Sequence, residues 1–225
     1  MYKRQAPDSA HQDVNTIIHH GLRRDLDRLA RVLENPMSDD QRAALCHHAT
    51  WMLDYLHHHH VGEDEGVWPR TLAKRPDLAS MVDEMEAEHH VLADASDGLR
   101  AAALAYRSDA SDAARLAMAD AVARMKAATL PHLEHEEQVA MPLVVETLDD
   151  DDWAYLEKHH FRAGLSLSQE AELFMWLLDG LDERRATIAK SQLPRPVRWA
   201  FSAIYGPRYD RGAARRWGSL AGSRS

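Results

Sequence analysis

The chain has 225 residues, of which 45% are hydrophobic, so it is long enough to bury one good core and to form one domain with a C-terminal extension. Its net charge of −9 is unevenly spread, because residues 184–225 hold 10 Lys or Arg and only one acid, Asp210. This segment is therefore about +9 and residues 1–183 about −18, which argues against a nucleic-acid role for the main body.

Cysteine content and hydropathy bear on the cellular compartment. The single cysteine, Cys46, excludes an internal disulfide and fits a reducing cytoplasm. No apolar run reaches the roughly 18 residues that a membrane helix needs, and no secretory signal pattern begins the chain. We therefore expect a soluble, cytoplasmic protein.

The hydrophobic pattern predicts an all-α protein, because helical periodicity extends along nearly the whole chain and strand-like alternation is missing. After an N-terminal tail at 1–9, helices at about 10–34, 39–66, 77–107 and 111–140 predict an up-down four-helix bundle over 10–145. Helix breaks are expected at Asn35-Pro36, Trp68-Pro69, Ser108-Asp109 and Met141-Pro142.

Residues 146–225 are expected to form a helical extension, with a short helix opening at Asp149–Asp152, another over 169–190, and a basic, aromatic tail. In this tail Trp199, Trp217 and other aromatic residues are interleaved with arginines. One interpretation, which we favour, is that the tail folds back on the acidic bundle. The other is contact with an anionic membrane or a partner.

The most informative motif places a His four residues before a Glu and a Pro six residues after it. It occurs twice, 73 residues apart, as His59, Glu63, Pro69 and as His132, Glu136, Pro142. On a helix, residues i and i+4 lie on one face, so each copy directs an imidazole and a carboxylate at the same point. Each copy is therefore a candidate metal-ligand pair.

A second repeat strengthens this interpretation. His19-His20-Gly21-Leu22 recurs 70 residues later as His89-His90-Val91-Leu92. On each helix, apolar residues spaced three or four apart form a seam that faces the core. His19 and His89 lie on these seams, and so do the His and Glu residues of the doubled motif. On the fourth helix the seam is expected to continue past Glu136 to Val139.

The alternative is that these are core histidines with ordinary partners, which is the usual role of a lone His on an apolar stripe. Here six ionisable groups fall on four inward seams, and burying them without a counter-charge would cost several kcal/mol each. Bound metal ions would remove that cost. The other histidines, including His48, His57, His58 and His135, are expected to be solvated or to orient ligands.

These residues resemble the hemerythrin-like, or HHE, cation-binding domains over about residues 10–145. The resemblance implies a four-helix bundle around an oxo-bridged di-iron centre that reacts with dioxygen, peroxide or nitric oxide. The implied iron ligands are His19, His59, Glu63, His89, His132 and Glu136, and the two glutamates would bridge two iron ions. Histidine and carboxylate ligands also accept manganese and zinc.

Two departures from the oxygen-carrying members are visible. Those proteins have a second His one turn after the third-helix ligand, where this chain has Ala93, and they use His-x4-Asp where this chain has His132 and Glu136. Because of the first departure, one of the two iron ions is expected to lack a nitrogen ligand. That position could be open to substrate, or Tyr55, one turn before His59, could fill it.

Tyr55 is also a candidate catalytic residue, since a phenol there could hydrogen-bond to a bound peroxide or supply an electron. Equally, it could pack in the core with its hydroxyl on a backbone partner.

We therefore expect a di-iron protein that processes small oxidants, above all hydrogen peroxide, by catalase-like or peroxidase-like turnover. The alternative is a non-catalytic module that binds dioxygen, nitric oxide or iron for sensing or storage. A third possibility is a structural bundle with no stoichiometric metal.

Overall fold

The computed structural model describes residues 10–221, which fold into helices joined by short connections, with no β-strand in that range. The predicted tail at 1–9 lies outside the described residues. Four long helices run α1 (Ala10–Val32), α2 (Asp39–Gly62), α4 (Ala79–Ser108) and α5 (Asp112–His135). Since α4 packs on α2 and α5, and α1 packs on α5, they form the predicted up-down bundle.

The predicted breaks at Trp68-Pro69 and Met141-Pro142 are wrong. After α2 the chain continues through a π-helical turn (Glu63–Val67) into α3 (Trp68–Lys74), and after α5 through a second one (Glu136–Ala140) into α6 (Met141–Thr147). In each turn the glutamate carbonyl accepts the N–H five residues on. Proline lacks an N–H, and the wider turn lets the helix continue past this interruption.

The second π turn also overturns the predicted seam on the fourth helix. Val139 is 42% exposed, whereas Ala140, Met141 and Val144 are buried. A π turn adds one residue to the turn, so the residues after Glu136 are rotated and a regular α-helical count no longer identifies the inner face.

Two apolar clusters fill the bundle, one on each side of the doubled motif. The larger cluster includes Leu56, Leu92 and Leu133, and the smaller includes Val67 and Met85. The His and Glu residues of the motif therefore lie between two apolar regions.

The extension continues through helices that cover the α1/α2 side of the bundle. They are α7 (Asp150–Leu156) with a third π turn (Glu157–Phe161), α8 (Leu167–Leu178), α9 (Glu183–Ser191), α10 (Arg195–Ile204) and α11 (Gly206–Trp217). The single helix predicted at 169–190 is wrong, because the segment is divided between α8 and α9. Gly180 lies in that division with φ +71, a backbone conformation that suits glycine.

Buried polar contacts hold the extension on the bundle. Asp25 of α1 accepts from Trp176 Nε1 at 2.7 Å and from His48 Nε2 at 2.6 Å. Arg28 donates to Asp179 at 2.6 Å. Trp217 of α11 is buried in the same core, so the tail folds back as favoured. His48 is buried here, and the expectation that it is solvated or orients a ligand is wrong.

None of the helices in residues 10–221 combines the length and apolar character needed to cross a membrane.

Candidate metal centre

Every bundle helix contributes to a cluster of buried imidazoles and carboxylates. The contributing residues are His19 from α1, His59 and His60 from α2, Glu63 from the first π turn, His89 from α4, His132 from α5 and Glu136 from the second π turn. Each of these residues is at most 7% exposed. The six residues predicted as ligands are thus brought together, and His60 joins them.

The potential ligand atoms form two groups. His19, His59 and Glu136 make one, His60, His89 and His132 make the other, and within each the atoms lie within 4.8 Å of one another. We call them the two-histidine group and the three-histidine group. Such a spacing within a group suits a single ion coordinated by all three residues.

Both glutamates reach both groups. One Glu63 oxygen lies 3.2 Å from His59 Nε2, and the other lies 3.6 Å from His89 Nε2. Glu136 Oε2 lies 3.1 Å from His19 Nε2 and 3.6 Å from His132 Nε2. Each carboxylate is therefore near an imidazole of each group, a suitable position for a carboxylate that spans two ions.

The atoms that face one another at the centre have no hydrogen bonds of acceptable geometry. They are the Nε2 atoms of His19, His59, His60, His89 and His132 and the Oε2 atoms of Glu63 and Glu136. Leaving a buried polar atom unpaired costs about 1–3 kcal/mol. Metal coordination would satisfy these nitrogen and oxygen atoms together, so the residues present fit the metal ions that the resemblance implies.

Carboxylates on the outer side orient three of the imidazoles. His19 Nδ1 donates to Glu137 at 2.8 Å, His89 Nδ1 to Asp64 at 2.6 Å, and His132 Nδ1 to Glu88 at 2.9 Å. A proton held at Nδ1 leaves the Nε2 lone pair directed at the centre, as a metal-ligating histidine requires.

The charges at the centre are unevenly distributed. Burial alone lowers the pKa of His19, but the neighbouring Glu136 and Glu137 outweigh it and raise that pKa to about 9. Without a metal ion Nε2 of His19 therefore also carries a proton at neutral pH, and a bound ion would displace it. Burial lowers the pKa of His59 to about 3, with the other imidazoles adding to the effect. Burial and the Glu136 charge raise the pKa of Glu63 well above its ordinary value.

Sequence reasoning missed His60, Glu88 and Asn15. Asn15 donates to Glu136 at 2.7 Å and lies four residues before His19, a spacing that could have identified it. Glu88 accepts from both His132 and His135, and nothing in the local pattern marks it.

Tyr55 lies beside the two-histidine group. Its ring is stacked on that of His59, with centroids 6.4 Å apart, and on that of Trp51 at 6.2 Å. Tyr55, His59 and Glu63 line one pocket. Burial, reinforced by the Glu63 charge, raises the pKa of the Tyr55 phenol above its ordinary value, so the hydroxyl keeps its proton.

The fold and this cluster define a metal-binding helical bundle. Residues 16–144 match the family described as the hemerythrin HHE cation-binding domain. The match covers more than half of the chain, which therefore belongs to this family of cation-binding proteins, whose metal is typically iron. Comparisons with curated proteins and with solved structures found no match.

Proposed function

We propose that this protein is a non-haem di-iron protein that binds and processes small oxidants, with peroxide as its substrate. The observation that carries the proposal is the pair of three-residue groups, both approached by Glu63 and by Glu136, with their facing atoms unpaired. His19 and His59 would hold one ion, His60, His89 and His132 the other, and the two glutamates would bridge them, with an oxo bridge expected as well.

A bound pair of iron ions would supply adjacent Lewis acids that change redox state. The protein supplies the surroundings. Glu137, Asp64 and Glu88 hold three imidazoles in one tautomer and orientation. The apolar clusters on both sides limit access of water. Tyr55 has a protonated hydroxyl beside the two-histidine group, where it can donate a hydrogen bond to an oxidant.

The difference between the two groups favours a reactive site at one of them. The three-histidine group has one more imidazole, whereas the two-histidine group is the one beside Tyr55 and the pocket. A small oxidant in the pocket would therefore lie beside the group that offers fewer imidazoles to a metal ion.

The test is metal analysis and optical spectroscopy of the protein loaded with ferrous iron, followed by peroxide addition. We expect about two irons per chain, a charge-transfer band on oxidation, and many turnovers of peroxide. Less than about half an iron per chain, or preferential loading of zinc, would contradict the di-iron proposal. Stoichiometric binding of dioxygen or nitric oxide without turnover would instead support the sensor or storage alternative.

Matched variants locate the ions. Glu63→Ala and Glu136→Ala should lose metal and lower thermal stability, because metal binding is linked to folding. His57→Ala, an exposed neighbour of the ligands, should keep the full iron content. Equal iron loss from all three variants would contradict the assigned site.

A further inference from the structure

A pocket of about 240 Å³ lies between the bundle and the C-terminal extension. Tyr55, His59 and Glu63 line it, and the members of the three-histidine group do not. Several of its walls come from the extension, including Phe161, Leu173, Phe174, Leu177 and Phe201. All five lie outside residues 16–144, the part of the chain that matches the family.

The extension is fixed against the metal ligand on this side. The Phe161 ring lies 5.9 Å from that of His59, and the Phe161 carbonyl accepts from His58 Nε2 at 2.9 Å. Trp176 of α8 contacts the Tyr55 ring at 5.4 Å. The pocket is thus bounded by packed and hydrogen-bonded groups, which is typical of a preformed ligand site.

The lining favours a neutral ligand. Among the described lining residues, Arg162 is the one Arg or Lys, and its guanidinium already donates to Glu170 at 2.8 and 3.2 Å. A carboxylate ligand would have to compete with Glu170 for this guanidinium and would meet the Glu157 carboxylate, which also lines the pocket. The remaining walls are mostly aliphatic or aromatic, so an apolar group gains from leaving water.

The volume indicates the size of the ligand that would fit inside the pocket. A dry protein cavity of about 150 Å³ holds benzene, so by proportion this pocket accommodates about ten non-hydrogen atoms. Dioxygen, nitric oxide and hydrogen peroxide have far fewer atoms and would leave most of it unfilled.

We propose that the pocket binds a neutral organic molecule of this size, with its apolar body against α8 and α10 and one polar hydroperoxide or hydroxyl end towards Tyr55 and Glu63. The hydroperoxide identity rests on the proposed function, for which it names an organic hydroperoxide as the substrate class. Its conversion to the alcohol and water would take two protons and two electrons, and a small external reductant would have to supply the electrons. The binding itself requires only the pocket.

Isothermal titration calorimetry of the iron-loaded full chain with cumyl alcohol tests the binding. This alcohol has the expected size and cannot act as a peroxide. We expect a Kd on the order of 0.1 mM, and binding of phenylacetate, an anion of similar size, at least about tenfold weaker. No detectable binding of cumyl alcohol, or tighter binding of phenylacetate, would overturn the proposal.

Two variants of α8 test the location. Leu173→Trp fills the pocket from its wall and should weaken cumyl alcohol binding at least about tenfold. Leu167→Trp is the matched control, because Leu167 is 64% exposed and lies outside the pocket. Leu193→Trp, in the turn after α9, fills the same pocket and serves if Leu173→Trp does not fold. Unchanged affinity in a folded pocket-filling variant would overturn the assignment.

The two proposals fail separately. Turnover of hydrogen peroxide without cumyl alcohol binding would overturn the pocket inference and leave the proposed function standing. Cumyl alcohol binding without turnover of hydrogen peroxide, or of cumene hydroperoxide supplied with ascorbate as the reductant, would contradict the peroxide function while supporting the pocket.

Discussion

At the scale of single residues, two neighbouring histidines on α2 point to different places. His59 belongs to the two-histidine group and His60 to the three-histidine group. Consecutive residues of a helix point about 100° apart around its axis. The two side chains can therefore reach two different sites, one on each side of the helix face that points into the bundle. Ala93, where oxygen carriers have their second helix ligand, is exposed. We therefore propose that His60 provides the imidazole that is missing at position 93.

Replacing His60 tests this assignment. His60→Ala removes one of three imidazoles from the three-histidine group, so iron content should fall from about two to about one per chain. The measurement is metal analysis after dialysis against a weak chelator. His57→Ala, in the same histidine run but exposed, is the control. Retention of both irons by His60→Ala would show that this imidazole is not a ligand.

Tyr55 has a different expected role from that of a ligand. If His60 completes the imidazole set as proposed, Tyr55→Phe should keep about two irons per chain. The visible spectrum should then lose no phenolate band. The change preserves volume and should cost less than about 1.5 kcal/mol of unfolding free energy. Removing the hydroxyl should slow peroxide turnover several-fold if it donates to the oxidant. Loss of iron and of a visible band together would instead identify Tyr55 as a ligand.

At the scale of helices, the packing of the extension on the bundle depends on how closely α8 approaches α1. A Cβ on Gly21 would lie 2.7 Å from the Trp176 ring, closer than packed atoms allow. The indole in turn donates to Asp25. The absence of a side chain at Gly21 therefore lets Trp176 reach its partner and close the wall beside Tyr55.

A pair of glycine substitutions measures this contact. Gly21→Ala should lower the unfolding free energy by about 1–3 kcal/mol, because overpacking outweighs the better helix propensity of alanine. Gly98→Ala in α4 should raise it by about 0.5–1 kcal/mol, since a Cβ there meets nothing within 4 Å. Urea unfolding gives both values. Stabilisation by both changes would mean that the Trp176 contact is not tight.

At the scale of the whole molecule, the extension and the bundle are joined by a buried network that responds to pH. Burial, helped by the positive charges of Arg216 and Arg24, lowers the pKa of His48 from 6.5 to about 4, even though Asp25 opposes the shift. As the pH falls, the unfolded chain therefore binds a proton at His48 before the folded chain does. The stability that neutral His48 contributes is complete above pH 6.5 and is lost as the pH falls towards 4.

His48→Gln isolates this effect from that of the histidines at the candidate metal centre. Glutamine can still donate to Asp25 but does not titrate, so the urea midpoint should fall less between pH 7 and about pH 4.5 than in the unaltered protein. His47→Gln, at an exposed neighbouring position, should show the unaltered dependence. Identical pH profiles for all three proteins would remove His48 as the source of the acid sensitivity.

The sequence alone determined the bundle, the inward seams as far as Glu63 and Glu136, and six of the seven buried residues at the centre. It could do so because helical periodicity and the i, i+4 rule are local, and the doubled motif repeats both. Only the tertiary structure decided the position of His60 in the buried cluster, the orientation of His132 by Glu88 and the pocket beside Tyr55. These features depend on contacts between residues far apart in the chain. They also depend on the π turns that begin at Glu63 and Glu136, because each turn shifts the inward-facing positions away from those that a regular α-helical period predicts.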